Sequence, residues 1–153
     1  MEDVCFKWPC RVYYEDTDGQ GILYHGRCLN YFERARTEWI RTLGVNQSEW
    51  LTQGVGFVLS SVSLTYRAPA FLDDYLIATV SLTERRRTYF TVTQRLLRSS
   101  EAGRVCEDGI NVDQYDVASA KSLVEGVFCI AFVDIKRFKP KAIPPILSVV
   151  LSV

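Results

Sequence analysis

The chain changes its hydrophobic period once, and that change limits what it can fold into. Leu29, Phe32, Ala35, Trp39, Ile40 and Leu43 recur at steps of mostly three and four residues. That spacing places apolar side chains on one face of an α-helix. The pattern starts near Gly26, and Gly44 ends it. Arg34, Arg36, Glu38 and Arg41 fill other positions, so part of the helix meets water. Asn46-Gln47-Ser48-Glu49 reads as a cap followed by a short helix up to Gly54. Beyond it the composition turns to Val, Ile, Thr, Tyr and Phe, over 57–66, 75–84, 88–98 and 126–136. These are strand formers. Pro69 and Asp73-Asp74 punctuate the first pair, and Arg85-Arg86-Arg87 makes a basic turn between the next two. Consecutive strands with short connections favour an antiparallel sheet. One long helix beside such a sheet is an α+β architecture.

Two further segments flank this frame. Residues 10–15, with Val12, Tyr13 and Tyr14, suit a short strand, and the glycine turn Gly19–Gly21 follows. Residues 99–121 begin with a turn and continue without periodicity. So long an irregular segment is uncommon inside a compact domain, and it reads as an inserted loop. The 153 residues otherwise make one domain, 1–153. A chain of this length buries roughly 70% of its unfolded surface, enough for a real core.

Composition excludes several classes. Basic and acidic residues balance at 18 each, so nothing argues for bulk nucleic-acid binding. No run of about 18 apolar residues is present, so no transmembrane helix is expected. The N-terminus has no basic start leading into an apolar run, the mark of a signal peptide. Cys5, Cys10, Cys28, Cys106 and Cys129 are odd in number and form no C-x-x-C pair. Reduced cytoplasmic thiols are the simplest expectation, and no thiol metal site is expected.

The chemistry is concentrated in residues 11–25, RVYYEDTDGQGILYH, which hold Glu15, Asp16, Asp18 and the single histidine, His25. A calcium loop counted from Asp16 has Asp18, Gln20 and Gly21 in place, but its twelfth position is Arg27, a cation. Asp16-Thr17-Asp18-Gly19 matches by letter the D-x-D-G of haloacid-dehalogenase-type phosphoryl transfer. That chemistry needs a buried parallel strand, and the antiparallel setting here does not supply one. A plain polar turn that caps the following helix is a third reading. The fourth is acyl transfer: helix-start N–H groups near His25 would polarise a thioester carbonyl, and Asp18 would attack it or activate water. The residues alone leave the last two open.

Residues 11–39, RVYYEDTDGQGILYHGRCLNYFERARTEW, closely resemble the signature of the YbgC-like branch of the 4-hydroxybenzoyl-CoA thioesterase family. Tyr66…Pro69-Ala70…Asp73-Asp74 and Glu84-Arg-Arg-Arg-Thr-Tyr-Phe90 resemble its next two blocks. The likeness covers about residues 8–98 and resumes near 124–144. It implies a hot-dog fold, a long helix wrapped by a curved antiparallel sheet. It also implies a homodimer or homotetramer with sites at the dimer interface, and a cytoplasmic acyl-CoA thioesterase that needs no cofactor.

By position, the resemblance makes Asp18 the catalytic carboxylate, as nucleophile or general base. It makes His25 the residue whose backbone N–H, and in YbgC-like members whose ring, serves the thioester. Tyr14 matches a tyrosine often placed in the site, and Asp16 orients the turn. Arg86 and Arg87 match positions that meet the CoA phosphates, for which guanidinium groups are suited. Lys141 is a further candidate for the nucleotide. Glu33 and Arg36 form a helix ion pair. Cys28 stands where the family usually has an aromatic residue and is expected to be a small buried side chain. Alternatives carried forward are a thioesterase for acyl-carrier-protein substrates, a hot-dog enoyl-CoA hydratase and a non-catalytic acyl-CoA-binding module.

Overall fold

The computed structural model describes residues 5–99 and 116–148. The helix expected from the first period is α1, Arg27–Thr42, and it stops where Gly44 takes φ +85°. Asn46 caps α2, Gln47–Thr52, by accepting the N–H groups of Ser48 and Glu49. The strands are β1 Phe6–Arg11, β2 Val55–Tyr66, β3 Tyr75–Arg85, β4 Tyr89–Arg98, β5 Ser122–Asp134 and the short β6 Lys139–Pro140. A last turn of helix, α3, spans Pro145–Ser148. All strand pairs are antiparallel, in the order β1-β3-β4-β5-β2, with β6 alongside β5.

Helix α1 packs on β3, β1 and β4. Tyr31, Phe32, Ala35 and Ile40 supply its buried face, against Leu76, Ala78, Val92 and Phe128 from the sheet. Phe32 meets Phe128 edge-on with ring centroids 5.3 Å apart. Burying each such large side chain contributes roughly 1.5–3 kcal/mol. Register shifts at Leu59/Ser61, Leu82/Glu84 and Leu96/Leu97 interrupt the ladders. Such irregularities bend strands and let a sheet curve.

A buried polar link locks helix to sheet. Arg36 donates to Gln94 Oε1 at 2.7 Å and pairs with Glu33, and its guanidinium sits 4.5 Å from the Phe128 ring centre. Gln94 Nε2 donates to the carbonyls of Phe32 and Thr79 at 3.1 Å each. The Glu33–Arg36 pair expected from the motif is therefore present, and Arg36 reaches further than that pair alone.

The expected boundaries of two strands need correction. The first strand lies at Phe6–Arg11 rather than 10–15, and Tyr14–Asp16 is a 3-10 turn. The reason is the Asp16 carboxylate, which folds inward and accepts the Tyr13 N–H at 2.9 Å. Pro9 is tolerated in β1 because that strand is an edge. Strand β5 starts at Ser122, before the expected 126, and stops at Asp134, whose carboxylate takes the Arg137 N–H to form a turn. Of the segment expected as an inserted loop, residues 100–115 lie outside the described residues. Its end, 116–121, is held by Arg95, which donates to the carbonyls of Val117 and Ala120 at 2.9 and 2.8 Å. Among the described residues no helix is long and apolar enough to cross a membrane.

Candidate active site

The stretch before α1 is a small hairpin. Thr17 pairs with Leu23, the Asp18 N–H binds the Ile22 carbonyl at 2.9 Å, and the Gly21 N–H closes the turn on the Asp18 carbonyl at 3.0 Å. Gly21 takes φ +77°, a conformation that glycine adopts without steric cost. The hairpin is held on two sides. Leu23 donates to Ala70, and Ile22 pairs with Phe71, which ties it to the 69–71 segment. The Tyr24 N–H donates to the Asp16 carbonyl at 2.8 Å.

Asp16 is the internal pin. It is buried, its Oδ2 accepts the Tyr31 hydroxyl at 2.6 Å and the Tyr13 N–H at 2.9 Å, and Arg27 lies 3.8 Å from its Oδ1. It orients the turn, as expected. Asp18 behaves differently. It is only partly buried, and its Oδ1 accepts the Gln20 N–H at 2.8 Å. That single bond orients the carboxylate, and no other donor among the described residues meets its oxygens.

His25 and Gly26 precede the first turn of α1. Gly26 is the N-cap and offers no side-chain cap. Among the described residues no acceptor takes the N–H of His25 or Gly26. A Cβ on Gly26 would come within 2.9 Å of the Tyr24 ring, so glycine lets the chain enter the helix close against that ring.

Asp18 and His25 line one open pocket of about 420 Å³. Ile22, Leu23, Pro69, Ala70 and Val124 give it apolar walls, and Cys28 and Tyr66 also face it. The Tyr66 hydroxyl donates to the His25 carbonyl at 2.8 Å, and Cys28 Sγ lies 2.9 Å from the same oxygen. Burial raises the Cys28 thiol above its ordinary range, and Cys28 is the small buried residue expected.

Tyr14, expected in the site, is 83% exposed and does not line this pocket. Arg86, Arg87 and Lys141 lie at the other end of the sheet. The turn that holds Arg86 and Arg87 follows the C-terminal end of β3, whereas the N-terminal end of β3 pairs with Arg11 beside the hairpin. Arg86 pairs with Glu84 at 2.6 Å. The Arg87 carbonyl accepts the Ile143 N–H, so the segment after β6 that bears Lys141 runs beside Arg87. The cations are thus grouped with one another but not with Asp18 of the same chain. Among the described residues no group of His, Cys, Asp and Glu is arranged to hold a metal ion.

Tyr66 is the pocket residue that sequence reasoning did not assign a role. It stands in the second block of the resemblance, yet nothing in an edge-strand terminus indicates that its hydroxyl reaches a carbonyl 41 residues earlier.

Residues 20–103 match the model of the thioesterase superfamily. The acyl-CoA thioester hydrolase YbgC of Escherichia coli O6:H1 is 39% identical over 119 residues, covering 73% of this chain and 89% of that protein. The acyl-CoA thioesterase YbgC of Haemophilus influenzae is 36% identical over 145 residues, covering 94% and 92%. Among solved structures, the 1,4-dihydroxy-2-naphthoyl-CoA thioesterase of Synechocystis superposes with a TM-score of 0.78 over 96% of this chain and 95% of that one, at 18% identity. That last likeness concerns the fold, and the hot-dog arrangement of helix and curved sheet is common to both. The matched family and the identity shared with two YbgC proteins over most of their length lead to one conclusion: the chain belongs to the thioesterase superfamily, in its YbgC-like branch, and is a thioester hydrolase.

Proposed function

We propose that this protein hydrolyses acyl-CoA thioesters to a free carboxylic acid and CoA, with Asp18 as its reacting carboxylate. The observation that carries the reading is the convergence of Asp18 and the start of α1 on one mostly apolar pocket. The N–H groups of His25 and Gly26 are free to polarise the thioester carbonyl and hold the oxyanion that develops on it. The apolar walls receive the acyl group or the thiol arm. Asp18, oriented by Gln20, either attacks the carbonyl carbon or removes a proton from an attacking water. In the first route a mixed anhydride forms as the C–S bond breaks and CoA leaves as the thiolate. Water then cleaves the anhydride. In the second route water adds directly and the C–S bond breaks from the tetrahedral intermediate. Both routes consume one water, and the thiolate takes up a proton. His25, exposed at the pocket, has its ring centre 4.2 Å from that of Tyr24 and is a candidate for that proton transfer.

The placement of the cations supports a site shared between two chains. Along β3 the arginine turn is about 33 Å from the hairpin end, at ~3.3 Å per residue. Among the described residues β2 pairs only with β5 and leaves its other edge open, with Leu59 and Val62 exposed. Two copies joined antiparallel along β2 would set the Tyr66 end of one beside the Val55 end of the other. The basic end of the second copy would then lie at the same end as Asp18, within reach of a CoA nucleotide. Arg86, Arg87 and Lys141 are the residues proposed for that contact. A cytoplasmic dimer, or a tetramer of two such dimers, is the assembly proposed.

The test is thiol release from a panel of straight-chain, branched and aromatic acyl-CoAs, with product acids identified by mass. Release of thiol together with the free acid supports the reading. Water added across an enoyl group without thiol release would replace it with a hydratase. Binding without turnover would reduce it to a binding module. Turnover of acyl-carrier-protein thioesters alone would move the substrate from CoA to the carrier.

A further inference from the structure

The start of α1 has a mechanical problem. The N–H groups of His25 and Gly26 have no acceptor among the described residues, and Gly26 supplies no capping side chain. A capping side chain at position 26 would take the N–H groups of Cys28 and Leu29 and would leave the His25–Gly26 peptide unheld. The structure holds that peptide from its carbonyl side, where two side chains meet the His25 oxygen. The Tyr66 hydroxyl donates to it at 2.8 Å, and Cys28 Sγ approaches to 2.9 Å.

We propose that Tyr66 is a positioning residue for hydrolysis, its hydroxyl pinning the His25–Gly26 peptide so that the free Gly26 N–H keeps one orientation toward the thioester. The inference rests on the thioesterase reading of this pocket. Tyr66 has a firm base: it closes β2, pairs with Val124 of β5, and is followed by Arg67 and Ala68, whose N–H groups both bind the Leu123 carbonyl. A trans peptide is planar, so a grip on the His25 oxygen also sets the direction of the Gly26 N–H across the same plane. A hydrogen bond accepted by a peptide carbonyl polarises that peptide and strengthens its N–H as a donor. Partial desolvation, then the neighbouring Cys28, raise the Tyr66 hydroxyl above its ordinary range, although half of the residue's surface stays exposed. The ring also forms pocket wall, and the two contributions separate by substitution: Tyr66→Phe keeps the wall and removes the grip, whereas Tyr66→Ala removes both.

The experiment compares wild type, Tyr66→Phe and Tyr66→Ala in kcat and KM for the acyl-CoA that wild type turns over fastest in the panel above. It adds the amide resonance of Gly26 in ¹⁵N-labelled protein. The expected result for Tyr66→Phe is a kcat lowered roughly 3- to 10-fold, the size of one neutral hydrogen bond, with KM within about twofold of wild type. The Gly26 amide should shift, and Tyr66→Ala should raise KM as well. A Tyr66→Phe protein with wild-type kcat, or with an unmoved Gly26 amide, overturns the pin and leaves the thioesterase reading intact. A wild type that releases no thiol overturns both.

Discussion

Removing the Asp16 carboxylate should loosen the hairpin that carries Asp18, and its cost can be worked from the contacts. Asp16→Ala deletes the acceptor of the Tyr31 hydroxyl, a 2.6 Å bond between two buried groups. A hydrogen bond to a charged group is worth about 1.5–3 kcal/mol. The Tyr13 N–H also loses its acceptor, but Tyr13 is 57% exposed and water replaces most of that bond. Arg27, 3.8 Å away and partly exposed, contributes less than about 1 kcal/mol. Part of the loss is recovered, because the Tyr31 hydroxyl can turn to the Arg11 carbonyl at 3.2 Å. The net expectation is a destabilisation of about 2–4 kcal/mol. Asp16→Asn, which keeps one oxygen, should cost about half as much. Urea unfolding at fixed protein concentration reads both, since association would otherwise shift the midpoint. Activity should also fall at a temperature where the variant stays folded, because the loosened turn carries the Asp16 carbonyl that holds the Tyr24 N–H beside His25. A loss under about 1 kcal/mol for Asp16→Ala would refute the idea that this carboxylate pins the turn.

Other consequences can be checked separately. Arg36→Met should cost about 2 kcal/mol by leaving the buried Gln94 oxygen without its donor. Gln94→Leu should cost about 3 kcal/mol, because it takes one partner from a buried guanidinium that keeps Glu33 and removes the side-chain donor from two carbonyls. The double variant should lose less than the sum in a urea-unfolding cycle, and strict additivity would deny the link. Asn46→Ala should cost about 1 kcal/mol by removing the acceptor for the Ser48 and Glu49 N–H groups, read in the same way. Burial pushes the Cys10 thiol up to about 12 and raises that of Cys28, so both hold less of the reactive thiolate at pH 8.5 than an unperturbed thiol. Mass mapping after brief iodoacetamide treatment should find Cys5 modified well before either of them, and equal rates would contradict the raised thiols of Cys10 and Cys28.

The fold was legible because its two signals are local. The apolar period of α1, the stop at Gly44 and the Asn46 cap each depend on residues a few positions apart. The strand content of 57–98 was equally readable from residue type. Boundaries failed where a long-range contact decided them. Tyr13 and Tyr14 look like strand residues, yet the inward turn of Asp16 toward Tyr31 makes a 3-10 turn there. Asp18 and His25 were singled out by their motif, and both line one pocket. The hold of Tyr66 on His25 depends on the meeting of β2 with the start of α1, which no spacing in the chain encodes. The arginines of the 85–87 turn were legible as a basic cluster, but not their distance from Asp18, because that follows from strand length and order.

The most direct test of the account is thiol release by Asp18→Asn beside wild type, on the acyl-CoA that wild type handles best. The substitution keeps the side-chain oxygen that accepts the Gln20 N–H and removes the charge. The account predicts an unchanged melting temperature and a kcat lowered about a hundredfold or more, the scale of a lost acid–base or nucleophilic group. A folded Asp18→Asn protein that hydrolyses the thioester at the wild-type rate would contradict it.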